Sequence, residues 1–169
     1  MGDLETILRA LEEARVRYLV VGGVAVVLHG HPRMTADLDL VVELVPRNVE
    51  AAFSALGALG YSPRVPVTAS DFADTATRER LVAEKGMTVL SLFSPALPLT
   101  EVDVFADPPF DFEAALARAT VADLGSFRVA VASIEDLVAM KRSAGRPKDL
   151  EDVCVLLALA AERGDPEDA

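Results

Sequence analysis

The 169-residue chain is 51% hydrophobic and 25% charged, which excludes a disordered sequence and supplies enough apolar side chains for one buried core. Its formal net charge of −11 opposes a broad face tracking nucleic-acid phosphates, while leaving room for a local basic patch. The lone cysteine, Cys154, sits in an apolar helical stretch, so neither an intramolecular disulfide nor a cysteine zinc site is available. No apolar run approaches the roughly 20 residues of a membrane span, and a cytoplasmic protein without membrane contact is expected.

Residues 3–16 place Leu4, Ile7, Leu8 and Leu11 at helical spacing, an amphipathic helix rather than a signal peptide. Tyr18–Val21 (YLVV) is a strand ended by Gly22-Gly23, and residues 24–28 continue as a short helix. A loop, residues 29–36, leads to the strand Asp37–Val42. A helix spans 46–59 and closes at Gly60, and the two prolines of 61–67 restrict that stretch to an edge strand or extended loop. Residues 70–85 form a helix or mobile connection. Strands follow at 87–93 and 99–105, then a short helix at 111–119 and a hairpin at 121–132.

The remainder is helical: 133–143, with Ser133 and Asp136 as a capping box, then 148–161 after a Gly-Arg-Pro loop. Several strands lie together, which favours α+β over a doubly wound sheet. The expected units are a core of residues 1–132, C-terminal helices over 133–162 packed on it, and a flexible tail over 163–169.

The chemistry concentrates at Val20–Glu43. Strand side chains alternate, so Asp37 and Asp39 project from one face, where two carboxylates repel unless they share a proton or hold a cation. A hard ion such as Mg2+ suits them. Gly22-Gly23, between a strand and a helix, is a phosphate cradle of outward N–H groups; a plain turn is its bland alternative. Together the two features point to a metal-bound nucleoside triphosphate. Asp103, mid-strand in EVDVF with Glu101 on the same face, adds a third carboxylate that would complete a two-metal site. An exposed edge residue is the alternative for Asp103 taken alone.

The string Gly22-Gly23-x-Ala25-x-x-x-His29-Gly30-x-x-Arg33-x-Thr35-x-Asp37-Leu38-Asp39-Leu40, with Asp103 later, resembles the nucleotidyltransferase superfamily of the DNA polymerase β type. It is similar to the small prokaryotic members, including the AbiEii-like toxins. Lys141, Gly145-Arg146-Pro147-Lys148-Asp149 and Asp152 also fit that group, and the resemblance runs from about Arg17 to Ala160. It implies a mixed sheet flanked by helices with a helical C-terminal segment. It further implies triphosphate contacts at Gly22 and Gly23, Arg33 and Thr35 beside the phosphates, and metal ligands at Asp37, Asp39 and Asp103. Many superfamily members have Ser where this chain has Gly23, so a hydroxyl contact is missing there.

The expected activity is Mg2+-dependent transfer of NMP from an NTP to an acceptor hydroxyl with release of pyrophosphate. Arg33 would neutralise a phosphate or bridge to Asp37 or Asp39, and Lys141 could reach the triphosphate or lie exposed. Asp149 and Asp152 serve either as favourable acids at a helix start or in the site, and His29 is expected to be structural. Acceptor choice is open. A tRNA would need a groove built from Arg64, Arg78, Arg80, Arg142, Arg146 and Lys148, whereas a small antibiotic would suit an acidic pocket. A protein acceptor, a cognate antitoxin, a homodimer through the last helix, and a non-catalytic binding module complete the alternatives.

Overall fold

The computed structural model describes residues 2–164; residues 165–169, most of the expected tail, lie outside the described residues. The first helix, α1 (Gly2–Glu13), buries Ile7, Leu8 and Leu11, the helical stripe read from the sequence. Strand β1 (Tyr18–Val21) is buried throughout and runs directly into α2 (Gly22–Leu28). Strand β2 is Asp37–Val42 and α3 is Pro46–Ala58, with proline in its first turn.

The 61–67 stretch contributes only a two-residue edge strand, β3 (Ser62–Pro63), as its prolines require. The stretch expected as a helix or mobile connection forms two helices, α4 (Ala69–Ala73) and α5 (Thr75–Lys85). Thr68 and Asp71 cap α4 reciprocally, and the Asp74 carboxylate caps α5. Strands β4 (Val89–Phe93) and β5 (Glu101–Phe105) lead to α6 (Phe112–Ala117). The hairpin β6 (Thr120–Asp123) and β7 (Arg128–Val131) follows, then α7 (Ile134–Ala144) and α8 (Pro147–Arg163).

Only half of the expected capping box on α7 forms. The Ser133 hydroxyl accepts from the Asp136 N–H, but the Asp136 carboxylate is taken by Arg118 at 2.6 and 2.9 Å. Helix α8 continues to Arg163 with Gly164 as its left-handed cap, so the first residues assigned to a tail belong to the helix end.

The seven strands form one mixed sheet in the order β3-β4-β5-β2-β1-β7-β6. β2 runs antiparallel to β1 and parallel to β5, which is antiparallel to β4. This is the α+β architecture expected. Period-two alternation divides the central strands. Leu38, Leu40, Leu90, Leu92, Val102 and Val104 are buried in the core, with register partners across the strands. The opposite face carries Asp37, Asp39, Glu101, Asp103 and Ser91. α2 packs on β2, and α7 packs against α8. Among the described residues no helix is long and apolar enough to cross a membrane.

Candidate active site

A cleft of about 570 Å³ opens in front of the polar face of β2 and β5. Its walls include Gly22, Gly23, Asp37, Asp39 and Asp103 on the sheet side, and Lys141 and Asp152 on the helical side. Arg33 and Thr35, from the loop before β2, also line it, so the cleft gathers every residue singled out as a site candidate.

Asp39 and Asp103 are direct register partners in the parallel β2–β5 pair, and Asp37 pairs with Glu101 one step along. Asp39 is pushed up to about 6, first by burial, then by the charges of Asp103 and Asp37; a hydrogen bond from the Gly23 N–H and the charge of Lys141 oppose the shift. Asp103 is also raised by burial, against a hydrogen bond from Ser91, with Glu101 and Asp37 adding repulsion. Among the described residues no three His, Cys, Asp or Glu side chains converge into a ready-made metal cage. The donor chemistry nevertheless fits a hard cation: three carboxylate oxygen donors share one strand face, and the central one is held against its own ionisation.

The glycines are fixed by contact with these groups. Gly22 has φ of +65°, and a Cβ on it would stand 1.9 Å from Asp39 Oδ2. A Cβ on Gly23 would meet Thr35 Oγ1 at 2.6 Å. Helix α2 starts after Val21, which has no side chain able to cap it. Asp39 stands over that end from β2, its carboxylate close against Gly22 and its charge favoured by the Gly23 N–H.

The helical wall is an ion cluster, largely buried at Arg33, Lys141, Asp149 and Asp152 and exposed at Arg146. Lys141 Nζ is 2.6 Å from Asp152 Oδ2 and 3.7 Å from Asp149 Oδ1, Arg33 pairs with the same Asp152 oxygen, and Arg146 Nε is 2.6 Å from Asp149 Oδ2. Three cations against two carboxylates leave one surplus positive charge on the wall opposite Asp37, Asp39 and Asp103. Asp152 is held below the usual carboxylate range: burial alone would raise it, but hydrogen bonds from Lys141 and Arg33 outweigh that. The alternative of a bridge from Arg33 to Asp37 or Asp39 is therefore corrected, because its partner comes from α8, 119 residues away. Asp149 lies in the first turn of α8, where an acid suits the helix start, and also pairs with Arg146 and Lys141; Asp152 lies beyond that turn and faces Lys141 and Arg33.

Three of the six cations assigned to a possible tRNA groove are otherwise engaged. Arg64 is bonded to Glu101, Arg146 to Asp149, and Arg78 is 7% exposed and donates to the Phe72 and Ala73 carbonyls. Phe105 shares parity with Asp103 and lines the cleft. His29 is buried with Nε2 2.8 Å from the Ala132 carbonyl oxygen, and Arg163 reaches both its ring and its carbonyl. That is the structural role expected. The sequence reading passed over Ser91, which bonds Asp103, and Asp107, which lines the cleft. The signal for Ser91 was available: a small polar residue at the non-core parity of VLSLF.

Comparison with known protein families matches residues 6–169 to the family described as "Nucleotidyl transferase AbiEii toxin, Type IV TA system". No curated protein matches the chain. Among solved structures it is similar to the lincomycin-bound lincosamide antibiotic adenylyltransferase LnuA, with a TM-score of 0.63 and 16% identity over 94% of this chain and 97% of that one. It is similar to the antibiotic-resistance factor ANT(2'')-Ia, with a TM-score of 0.61 and 14% identity over 96% and 85% of the two chains. It also resembles an antigenic nucleotidyltransferase-like protein from Paracoccidioides brasiliensis, with a TM-score of 0.56 and 19% identity over 93% and 75%. At these identities the structures speak for the fold, and the family match covers nearly the whole chain: the protein belongs to the AbiEii family of nucleotidyltransferases.

Proposed function

We propose that the chain is a Mg2+-dependent enzyme that moves NMP from an NTP to an acceptor hydroxyl, releases pyrophosphate, and acts as the toxin of a toxin–antitoxin pair. The observation that carries this reading is the polarity of the cleft. A carboxylate wall on β2 and β5 faces an ion cluster whose surplus positive charge is the exposed Arg146 at the cleft rim, which matches a metal–triphosphate with its own positive and negative ends.

Asp37, Asp39 and Asp103 would hold one or two Mg2+ ions, which when bound neutralise the phosphates and the pyrophosphate leaving group. Asp39, accepting the Gly23 N–H, fixes the metal-holding strand against the start of α2. The missing side chains at Gly22 and Gly23 leave room for Asp39 and Thr35 against the start of α2, and Gly22, Gly23, Thr35 and Arg33 would border the triphosphate in the cleft. Lys141, anchored by Asp152, offers its charge to the phosphates without free rotation. The acceptor oxygen attacks the α-phosphorus, the bond to pyrophosphate breaks, and Asp103 takes the acceptor proton. Residues 1–132 would supply the metal-holding wall and Arg33, and 133–162 the rest of the cationic wall. Fixed charges of this kind act without reorganising as charge develops.

For a toxin the acceptor is tRNA or protein, and a cognate antitoxin is the expected partner. A second reading, transfer to a small molecule, is favoured by the engagement of Arg64, Arg78 and Arg146, which thins any basic groove. It is in keeping with the similarity to a lincosamide antibiotic adenylyltransferase, of which the alignment covers 97%. Incubation with Mg2+ and each labelled NTP, in turn with bulk tRNA, cell protein and lincomycin, separates these acceptors by where label appears. Absence of label transfer, of pyrophosphate and of Mg–NTP binding would leave a non-catalytic binding module.

A further inference from the structure

Ser91 does not line the cleft, yet it touches the carboxylate that does. On β4, Leu90 and Leu92 enter the core, so Ser91 falls on the polar face. It is the register partner of Asp103, which is in turn the register partner of Asp39, so the three side chains form one row across β4, β5 and β2. The Ser91 hydroxyl donates to Asp103 Oδ1 at 2.5 Å. Glu101 and Asp37 repel Asp103 from the neighbouring positions. Without a donor behind it, that carboxylate has no reason to hold one rotamer against two like charges.

We propose that Ser91 is a positioning residue for Asp103, occupying Oδ1 from behind so that Oδ2 is presented to the metal and the acceptor hydroxyl. The inference rests on the reading of Asp103 as a site carboxylate. It accounts for a small polar residue in a strand whose other members, VLSLF, are apolar, where β-propensity alone would favour a branched side chain. Partners that orient a ligating carboxylate from outside the ligand set typically matter 10–100-fold for metal affinity or rate.

The test compares Ser91→Ala, Ser91→Val and Ser91→Thr in the full chain, with Asp103→Asn as the control. Val and Thr have the same shape and similar strand preference and differ in the hydroxyl alone, so the pair separates the hydrogen bond from packing. Three quantities are read: kcat, KM for the NTP, and Mg2+ affinity by titration calorimetry with a non-hydrolysable NTP analogue. The expected result is a roughly 10-fold loss of kcat and a comparable weakening of Mg2+ binding in Ala and Val. Thr should recover both, KM for the NTP should stay close to wild type, and melting temperatures should change little. Wild-type kcat and Mg2+ affinity in Ser91→Val, beside an inactive Asp103→Asn, would overturn the role of Ser91 and leave the catalytic reading standing. Wild-type activity and Mg2+ affinity in Asp103→Asn would overturn both together.

Discussion

Asp103 on β5 lies directly across from Asp39 on β2 in a parallel register, and its charge raises the proton affinity of the Asp39 carboxylate. The fold has placed two like charges where neither can be solvated fully, which makes the pair a source of instability at neutral pH unless a cation is held there.

That instability has a sign. With its pKa raised to about 6, Asp39 favours folding most when protonated. The contribution is complete below the unfolded carboxylate value of about 4 and is lost as pH rises through about 6. In the presence of a chelator, wild type should therefore lose stability relative to Asp39→Asn between pH 4 and 7, by up to roughly 3 kcal/mol. Urea midpoints of the two proteins across that window measure the difference and cancel the titration of groups not coupled to Asp39, Asp37 and Asp103. A constant difference would mean that Asp39 is not held against its charge.

The same substitution separates catalysis from stability. Asp39→Asn removes a metal-holding charge and should lower label transfer by at least about 100-fold. Its melting temperature should be unchanged or higher at pH 7, because the repulsion is relieved. Wild-type transfer, or a large drop in melting temperature, would make Asp39 a structural residue.

The carboxylate wall was legible because its logic is local. Period-two alternation places Asp37 with Asp39 and Glu101 with Asp103, and each strand announces its own polar face. Strand pairing was not legible: β2 meets β5 across three helices and two strands, and no local pattern encodes that neighbour. The cationic wall was legible as a set of residues and opaque as a set of contacts. Arg33 has acids close by in sequence at Asp37 and Asp39 but bonds Asp152, 119 residues away, because the loop before β2 is packed against the α7–α8 end of the cleft. Arg163 reaching His29 across 134 residues is a pairing of the same long-range kind.

Gly22 should tolerate no side chain. Its φ of +65° is in the left-handed region, and an added Cβ would stand 1.9 Å from Asp39 Oδ2 on the backbone-fixed β2. Backbone strain and the forced shift of a buried carboxylate together predict that Gly22→Ala destabilises the fold by about 1–3 kcal/mol. Because the shift displaces Asp39, transfer should fall further than stability explains. Chemical denaturation and transfer assays at a temperature where the variant is fully folded check the two parts. Wild-type transfer by a folded Gly22→Ala would show that the site absorbs the displacement.

Asp152 is the keystone of the cationic wall, since Lys141 and Arg33 both converge on its Oδ2 and all three side chains are largely buried. Removing it leaves one buried ammonium and one buried guanidinium with a poorer set of partners, for Lys141 chiefly Asp149 at 3.7 Å. Losing one partner of a buried pair is far more costly than losing both, so Asp152→Ala should destabilise by about 3–5 kcal/mol. The double variant Asp152→Leu with Lys141→Met should recover the part of that loss due to the unpaired ammonium, while the Arg33 guanidinium still lacks its partner. Stability and binding should then part company: the double variant should fold well and bind Mg–NTP poorly, since the anchored ammonium is gone. A denaturant series with a double-mutant cycle, alongside NTP titration, tests both. Tight Mg–NTP binding by the refolded double variant would show that Lys141 serves the fold alone.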